Sequence, residues 1–443
     1  MGMTAADSRA LCERIFGLVN ADSAEVRLAE GDDLHLRHAS NDVTSNALVR
    51  RTDLSLTVSY GRRSATLSTN RLDDASIRRL VERAEAMAAV APENPEHMPP
   101  LGPAEFVTPA TWAESTATAP PQAAISWLRP VIERAREAGV DTAGYLKRTV
   151  GGSTLATSSG LFVHQRSTTV GFSVTARTPT GHGSGWASTQ VTDIRDLDLG
   201  AVGDRAIRKA LASRNPSERP PGRTTVVLEP AAVRDLVSWL VHALDRRPFD
   251  EGRSFLCRLA GGDDPVGRRL FDARATIVSD PLDKAAPCPT HAGGLPLVRT
   301  PWIEAGVLES LAVGRFWAQK RGMQPQPGPG NLIMTGEGRS LDDLVGMVDD
   351  GVLVTRIWYL RSVDPQTLLL TGLTRDGTFA ISKGRLAGPV KNFRFNVSPV
   401  HMLERLVASG VPTRVLGAES DSPVCVPPLV VEDFNLSSVS DAS

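Results

Sequence analysis

A chain with eight histidines and four cysteines invites a search for metal or thiol chemistry first. A zinc peptidase helix needs two imidazoles on one face and a neighbouring carboxylate to take a proton from metal-bound water. No His-Glu dipeptide occurs, and the histidines stand apart at positions 35, 38, 97, 164, 182, 242, 291 and 401. His35 and His38 are close, but three residues along a strand turn side chains to opposite faces. A zinc site built by this chain alone is disfavoured. A thiol nucleophile is the next chemistry to test. In Pro287-Cys288-Pro289-Thr290-His291 a thiol lies three residues from an imidazole. The prolines hold that segment extended, and no helix N-terminus is at hand to favour the thiolate. Cys257 follows Phe255-Leu256 and Cys425 sits between Val424 and Val426, so both read as buried. The run Gly181-His182-Gly183-Ser184-Gly185 could suggest a phosphate cradle. Such a cradle opens a helix and supplies a Lys followed by Ser or Thr. Here Trp186-Ala187-Ser188 follows, which fits a loop or bulge.

The elements that would position these groups are legible from periodicity. Leu11, Ile15, Leu18 and Val19 share a helical face, with Ser8 as a candidate cap. Alternation then predicts strands at 24–28 and 34–37 joined by a hairpin turn at Gly31-Asp32-Asp33, and two more at Ser45–Arg51 and Leu54–Tyr60. Helical spacing returns over Asp73–Val90. A proline-rich stretch follows, then a helix over Pro121–Ala138. Beyond it come strands at Thr142–Thr149, Ser153–Thr157, Leu161–Gln165 and Ser167–Arg177, then a helix near Leu199–Ala212. The later half opens with the strand Thr224–Leu228 and an amphipathic helix from Pro230 to about Leu244. Short apolar runs split by Gly, Pro and Asp then predict antiparallel strands, with a late helix over Pro399–Ala408. The expected fold class is α+β, divided into an N-terminal α/β sandwich-like domain (1–90), a Pro-rich linker (91–121), a strand-rich middle domain (122–219) and a mainly antiparallel β C-terminal domain (220–443).

Composition removes several functions. Forty-nine basic against fifty acidic residues leave a net charge of -1, which gives no global case for nucleic acid or an anionic membrane. Short pairs such as Arg246-Arg247 read as solvated faces. No apolar run reaches the ~20 residues of a membrane span. The N-terminus shows no basic region followed by an apolar core, so no signal peptide is expected and the compartment is expected to be the cytoplasm.

Several segments, in order, resemble the TldD/PmbA family of peptidases. They include Ser158-Ser159-Gly160-Leu161-Phe162, Gly183-Ser184-Gly185-Trp186, Val227-Leu228-Glu229-Pro230, Asp280-Pro281-Leu282-Asp283, Trp302-Ile303-Glu304-Ala305-Gly306 and the tail around Cys425. The resemblance implies a heterodimer whose active subunit carries His-Glu-x-x-x-His on the helix after the Leu-Glu-Pro-like strand, with a C-terminal cysteine completing a zinc site. If His242 stands for the first histidine, Ala243 replaces the glutamate and Arg247 the second histidine. Alanine cannot act as a base and a charged guanidinium cannot bind zinc. The resemblance therefore points to the PmbA (TldE)-like branch: a subunit without catalytic residues or a cofactor of its own, with zinc held by a TldD-like partner and small or unfolded peptides as substrate. His242 and Cys425 are the candidate remnants of a metal site. Gly183, Ser184 and His242 are the candidate substrate-binding residues. A homodimer, a self-sufficient hydrolase using His242, Cys288, His291 and Cys425, and a non-enzymatic regulatory protein stay open as alternatives.

Overall fold

The computed structural model describes residues 2–179, 182–417 and 420–440, so Gly181 lies outside the described residues. Six strands form the first sheet: β1 (Ser23–Ala39), β2 (Asp42–Tyr60), β3 (Arg63–Thr69), β4 (Asp141–Thr157), β5 (Phe162–Arg177) and β6 (Ser184–Val191). Their order is β3-β2-β1-β4-β5-β6 and every pairing is antiparallel. Strands from both sides of the proline-rich stretch thus share one sheet.

The predicted turn at Gly31-Asp32-Asp33 is absent, because β1 runs straight through it. Leu28 and Leu34 are an even number of residues apart, so both stay on one face of an unbroken strand. Gly31 serves backbone approach instead: it pairs with Gly151 of β4, and a Cβ there would come 2.5 Å from the Val150 carbonyl oxygen. For the same reason the expected pairs of strands over 45–60, 142–157 and 161–177 are single long strands.

The even-numbered residues of β1 and β4 face helices. Val26 and Leu28 pack with α1 (Ala5–Phe16) and α2 (Asp74–Val90), while Leu34, Leu36 and Leu146 pack with α4 (Ala123–Glu137) and α5 (Leu199–Ala212). A one-turn helix, α3 (Glu114–Ala117), lies between α2 and α4 in the chain. Thr4, rather than Ser8, caps α1 through a reciprocal box with Asp7, and Ser8 is buried within the helix.

The C-terminal half holds two further large sheets. The nine-stranded one is built around β7 (Gly222–Leu228), paired with the strand Asp350–Val354 in parallel and with Leu429–Ser440 antiparallel. The six-stranded one centres on Ile277–Ser279, Leu332–Met334 and Val424–Val426. Helix α6 (Pro230–His242) follows β7 directly and buries Ala232, Val233, Leu236, Val237, Leu240 and Val241 in a core fed by strands of both sheets. The late helix is short, Pro399–Glu404, and the next residues form the strand Leu406–Ser409. With strands dominant and mostly antiparallel, the fold is α+β as the sequence suggests. No helix among the described residues is long and apolar enough to cross a membrane.

His38 of β1 is buried against Phe172, and neither ring nitrogen has a partner among the described residues. Burial pushes its pKa down to about 4. The unfolded chain, with an ordinary histidine near 6.5, binds the proton more readily, so stability falls as pH drops from about 6.5 toward about 4. A shift of this size corresponds to about 3–4 kcal/mol. Urea melts between pH 4 and 7 are expected to show that slope in the native protein and to lose it in His38→Phe.

Candidate active-site cavity

The other face of the first sheet, made of odd-numbered residues of β4 and β5 and even-numbered residues of β6, turns toward the C-terminal half and walls a cavity of about 510 Å³. Period-two alternation brings Lys147 from β4, Thr169, Gly171 and Ser173 from β5, and Trp186 and Gln190 from β6 onto this wall. The opposite wall is Arg356 and Trp358, and Leu416, Gly417 and Asp421 close it from a loop.

Arg356 is the central group. Its guanidinium carbon lies 4.2 Å from the Trp186 ring centroid and 4.9 Å from that of Trp358, and Nη1 pairs with Asp376 at 2.8 Å. Burial lowers its pKa from the ordinary arginine value, while Asp376 beside it works in the opposite sense. Asp376 also accepts the Ser184 hydroxyl at 2.6 Å, which ties β6 to the C-terminal half. Trp358 stands beside a bulge: the pairing of its strand with Leu369–Thr374 shifts between Trp358 and Arg361, and Tyr359 takes a left-handed φ of 58°. The extra residues leave Trp358 on the cavity and Tyr359 exposed, with the Arg361 guanidinium carbon 4.1 Å from its ring.

The closing loop is pinned by Arg234, a residue of α6 only 1% exposed. Arg234 donates to the carbonyls of Val415 at 3.2 Å and of Ser420 and Ser422 at 2.9 Å, and to Asp235 at 3.0 Å. Gly417 passes so close that any Cβ would collide with that guanidinium. Gln190 fixes the same loop from the sheet side: its amide donates to the Asp421 carbonyl at 3.0 Å, and its Oε1 accepts from Arg414 at 2.9 Å. Lys147 Nζ stands 3.5 Å from the Asp421 carboxylate.

The residues singled out from sequence are distributed as follows. Ser184 is not part of the cavity lining; its hydroxyl donates to Asp376, the partner of Arg356. Gly183 is buried beside α5, where a Cβ would collide with the Ala210 carbonyl, so its role is close packing of strand end and helix. His242 is exposed on the outer stripe of α6 that also carries Ser238 and Trp239, and its Nδ1 lies 2.8 Å from the Ser238 carbonyl oxygen. The helix ends there: Ala243 is its C-cap, and Asp245 caps α7 (Arg246–Asp250). Arg247 grips both oxygens of Glu96 at 2.8 Å and Glu251 at 3.0 Å, so the proline-rich stretch is bound to this corner. Arg246 is likewise held, by Asp250 and Asp264 at 2.7 Å, and the pair is an ion-pair corner rather than a merely solvated face.

The thiols are poorly placed for nucleophilic work. Burial pushes Cys288 up to about 12 and Cys425 up to about 11; Asp283 adds to the latter shift and Arg414 opposes it. Cys288 donates to the Pro289 carbonyl, while His291 Nδ1 accepts the Gly294 amide at 3.2 Å, so the two do not form a pair. Among the described residues no three of His, Cys, Asp and Glu cluster as metal ligands would. Lys147, Arg234, Arg356 and the two indoles escaped the sequence reading. One signal was available: Arg234 falls inside the apolar stripe of α6, where an arginine needs buried partners.

Three family models match the chain in succession: PmbA/TldA metallopeptidase domain 1 over residues 24–88, the central domain over 114–214 and the C-terminal domain over 221–438. A comparison with curated protein sequences finds no match. Among solved structures, TldE from Thermococcus kodakarensis is similar at 17% identity and a TM-score of 0.85, covering 98% of this chain and 99% of that one. A proposed modulator of a DNA gyrase from Thermotoga maritima MSB8 is similar at 18% identity and 0.84, covering 97% and 99%. Another from Bacteroides thetaiotaomicron VPI-5482 is 19% identical with a TM-score of 0.83, covering 96% and 98%.

Two measurements check this geometry. Arg234→Ala should lower unfolding stability by about 3–5 kcal/mol in denaturant, because it strands the carbonyls of Val415, Ser420 and Ser422. Iodoacetamide at pH 8 should leave the buried Cys288 and Cys425 unmodified in the folded protein by mass spectrometry and label them once urea is added.

Proposed function

The chain belongs to the PmbA/TldA metallopeptidase family, and we propose that within it this protein is the PmbA/TldE-like subunit of a heterodimeric zinc peptidase acting on small or unfolded peptides. The observation that carries this reading is the state of Arg247. At the position where a metal-binding helix would present its second imidazole, a guanidinium is held by two carboxylates, Glu96 and Glu251. A permanently charged, acceptor-free group cannot coordinate zinc. The neighbouring positions agree: Ala243 offers no base, and Cys425 is a protonated thiol inside a strand at neutral pH. These residues do not fit a zinc ion, so the metal is assigned to a TldD-like partner.

The contribution of this chain is then to hold substrate. One wall of the cavity is a strand face carrying the hydroxyls of Thr169 and Ser173 and the Trp186 indole, and Trp358 faces it from the other wall. The main chain of an extended peptide can be held there by hydroxyl hydrogen bonds and aromatic contact with little demand on its sequence. A folded protein could not enter a space of about 510 Å³, which restricts the substrate to short or unfolded chains.

Co-expression with a TldD-like chain carrying His-Glu-x-x-x-His tests the assignment. The purified complex is expected to hold one zinc per heterodimer and cleave a short unstructured peptide, while this chain alone holds no stoichiometric zinc and cleaves nothing. Stoichiometric zinc with cleavage by the isolated chain would overturn it, as would failure to form a complex with such a partner.

A further inference from the structure

We propose that the cavity is an anchor for the free C-terminal carboxylate of an extended peptide, received by Arg356 and Lys147; this rests on the substrate-holding role proposed above. The cavity carries two cations and one anion on its lining, Lys147 and Arg356 against Asp421. Asp376, which balances Arg356, is itself only 2% exposed and is engaged by that arginine and by Ser184. With Asp376 counted, two cations face two anions, so an entering carboxylate takes the place of the loosely held Asp421 side chain beside Lys147.

The two cations differ in readiness. Arg356 is held by two indoles and an ion pair, so its planar fork is fixed before any ligand arrives. Only Nη1 is engaged by Asp376; Nε and Nη2 have no hydrogen-bond partner among the described residues and are not sealed from solvent. Such a fork matches the two oxygens of a carboxylate. Lys147 is held loosely, 3.5 Å from an Asp421 side chain that is 74% exposed, so an entering carboxylate exchanges one weak surface pairing for a stronger enclosed one. The hydroxyls of Thr169 and Ser173 share the wall with Lys147 and suit the last peptide groups before the carboxylate. The size of the cavity is that of a small-ligand pocket rather than of a channel for a passing chain.

Isothermal titration of the intact chain by itself, without partner or zinc, tests the anchor. The probes are an N-acetylated Ala-Ser-Ala-Ala peptide with a free C-terminus, its C-terminal amide, and inorganic phosphate. The acid should bind at least about tenfold more tightly than the amide, as expected for a hydrogen-bonded charge pair. Lys147→Met should weaken the acid by about tenfold and leave the amide unchanged, with circular dichroism confirming the fold. Arg356→Lys, which keeps the charge and removes the fork, should also weaken the acid selectively. Equal binding of acid and amide, an unchanged acid affinity in Lys147→Met, or tight binding of phosphate without the peptide acid would each overturn the anchor. None of these bears on whether the chain joins a zinc-bearing partner, which the co-expression experiment decides separately.

Discussion

The pairing of Arg356 with Asp376, packed against Trp186 and Trp358, is the contact on which the arrangement of the two halves depends. Removing a charge from water costs several kcal/mol, and the cost is offset here by the ion pair and by two aromatic faces. Ser184 extends the pair into the first sheet, so one cluster touches β6, the bulged strand after Thr355 and the turn at Asp376. Other links between the halves are polar as well. Lys209 of α5 meets Glu229, the residue before α6, at 2.6 Å, and Arg414 reaches Gln190. The apolar residues stay in separate cores on either side. Polar linkage of this kind joins two bodies without closing the space between them, and a hollow lined by charge and hydroxyls remains.

Helix α6 shows how burial on most of a helix leaves a narrow outer stripe to vary. Its inner positions are fixed by two sheets, and Arg234 adds a polar fixing point that shapes the loop over the cavity. The outer stripe and the turn after it are free of that constraint. After that turn stands an ion-pair corner of Arg246, Arg247, Asp250, Glu96 and Glu251, with Trp317 donating to Asp250 at 2.8 Å. The corner holds the proline-rich stretch in place.

Much of the fold was legible because alternation and helical spacing are local signals. The helices over 74–90 and 199–212, the strand before α6 and the strand-rich later half follow from them. Two of the misplaced breaks share one cause. Gly31, Gly151 and Gly152 resemble turn residues, yet an even spacing between Leu28 and Leu34 already marked a continuous strand. The cavity was far less legible. Lys147, Trp186, Arg356 and Asp421 are scattered along the chain and meet only because alternate residues of several strands face one hollow. Conversely, Gly183 attracted notice for the company of other glycines, and its explanation is the close approach of α5.

The order of strands in the first sheet also bears on how the chain is made. β1 lies between β2, its immediate successor, and β4, which is synthesised only after β3, three helices and the proline-rich stretch have passed. Leu34 thus waits for Arg148 as its neighbour, while the hairpin of β1 and β2 leaves the ribosome with one long edge bare. Distant pairings of this kind slow folding and expose strand edges meanwhile. Gly31 and Gly151 must then meet backbone to backbone with no side chain to guide the register. Nascent chains of this architecture should therefore depend on holding factors until β4 and β5 emerge, and a ribosome pause before residue 141 would lengthen their exposure.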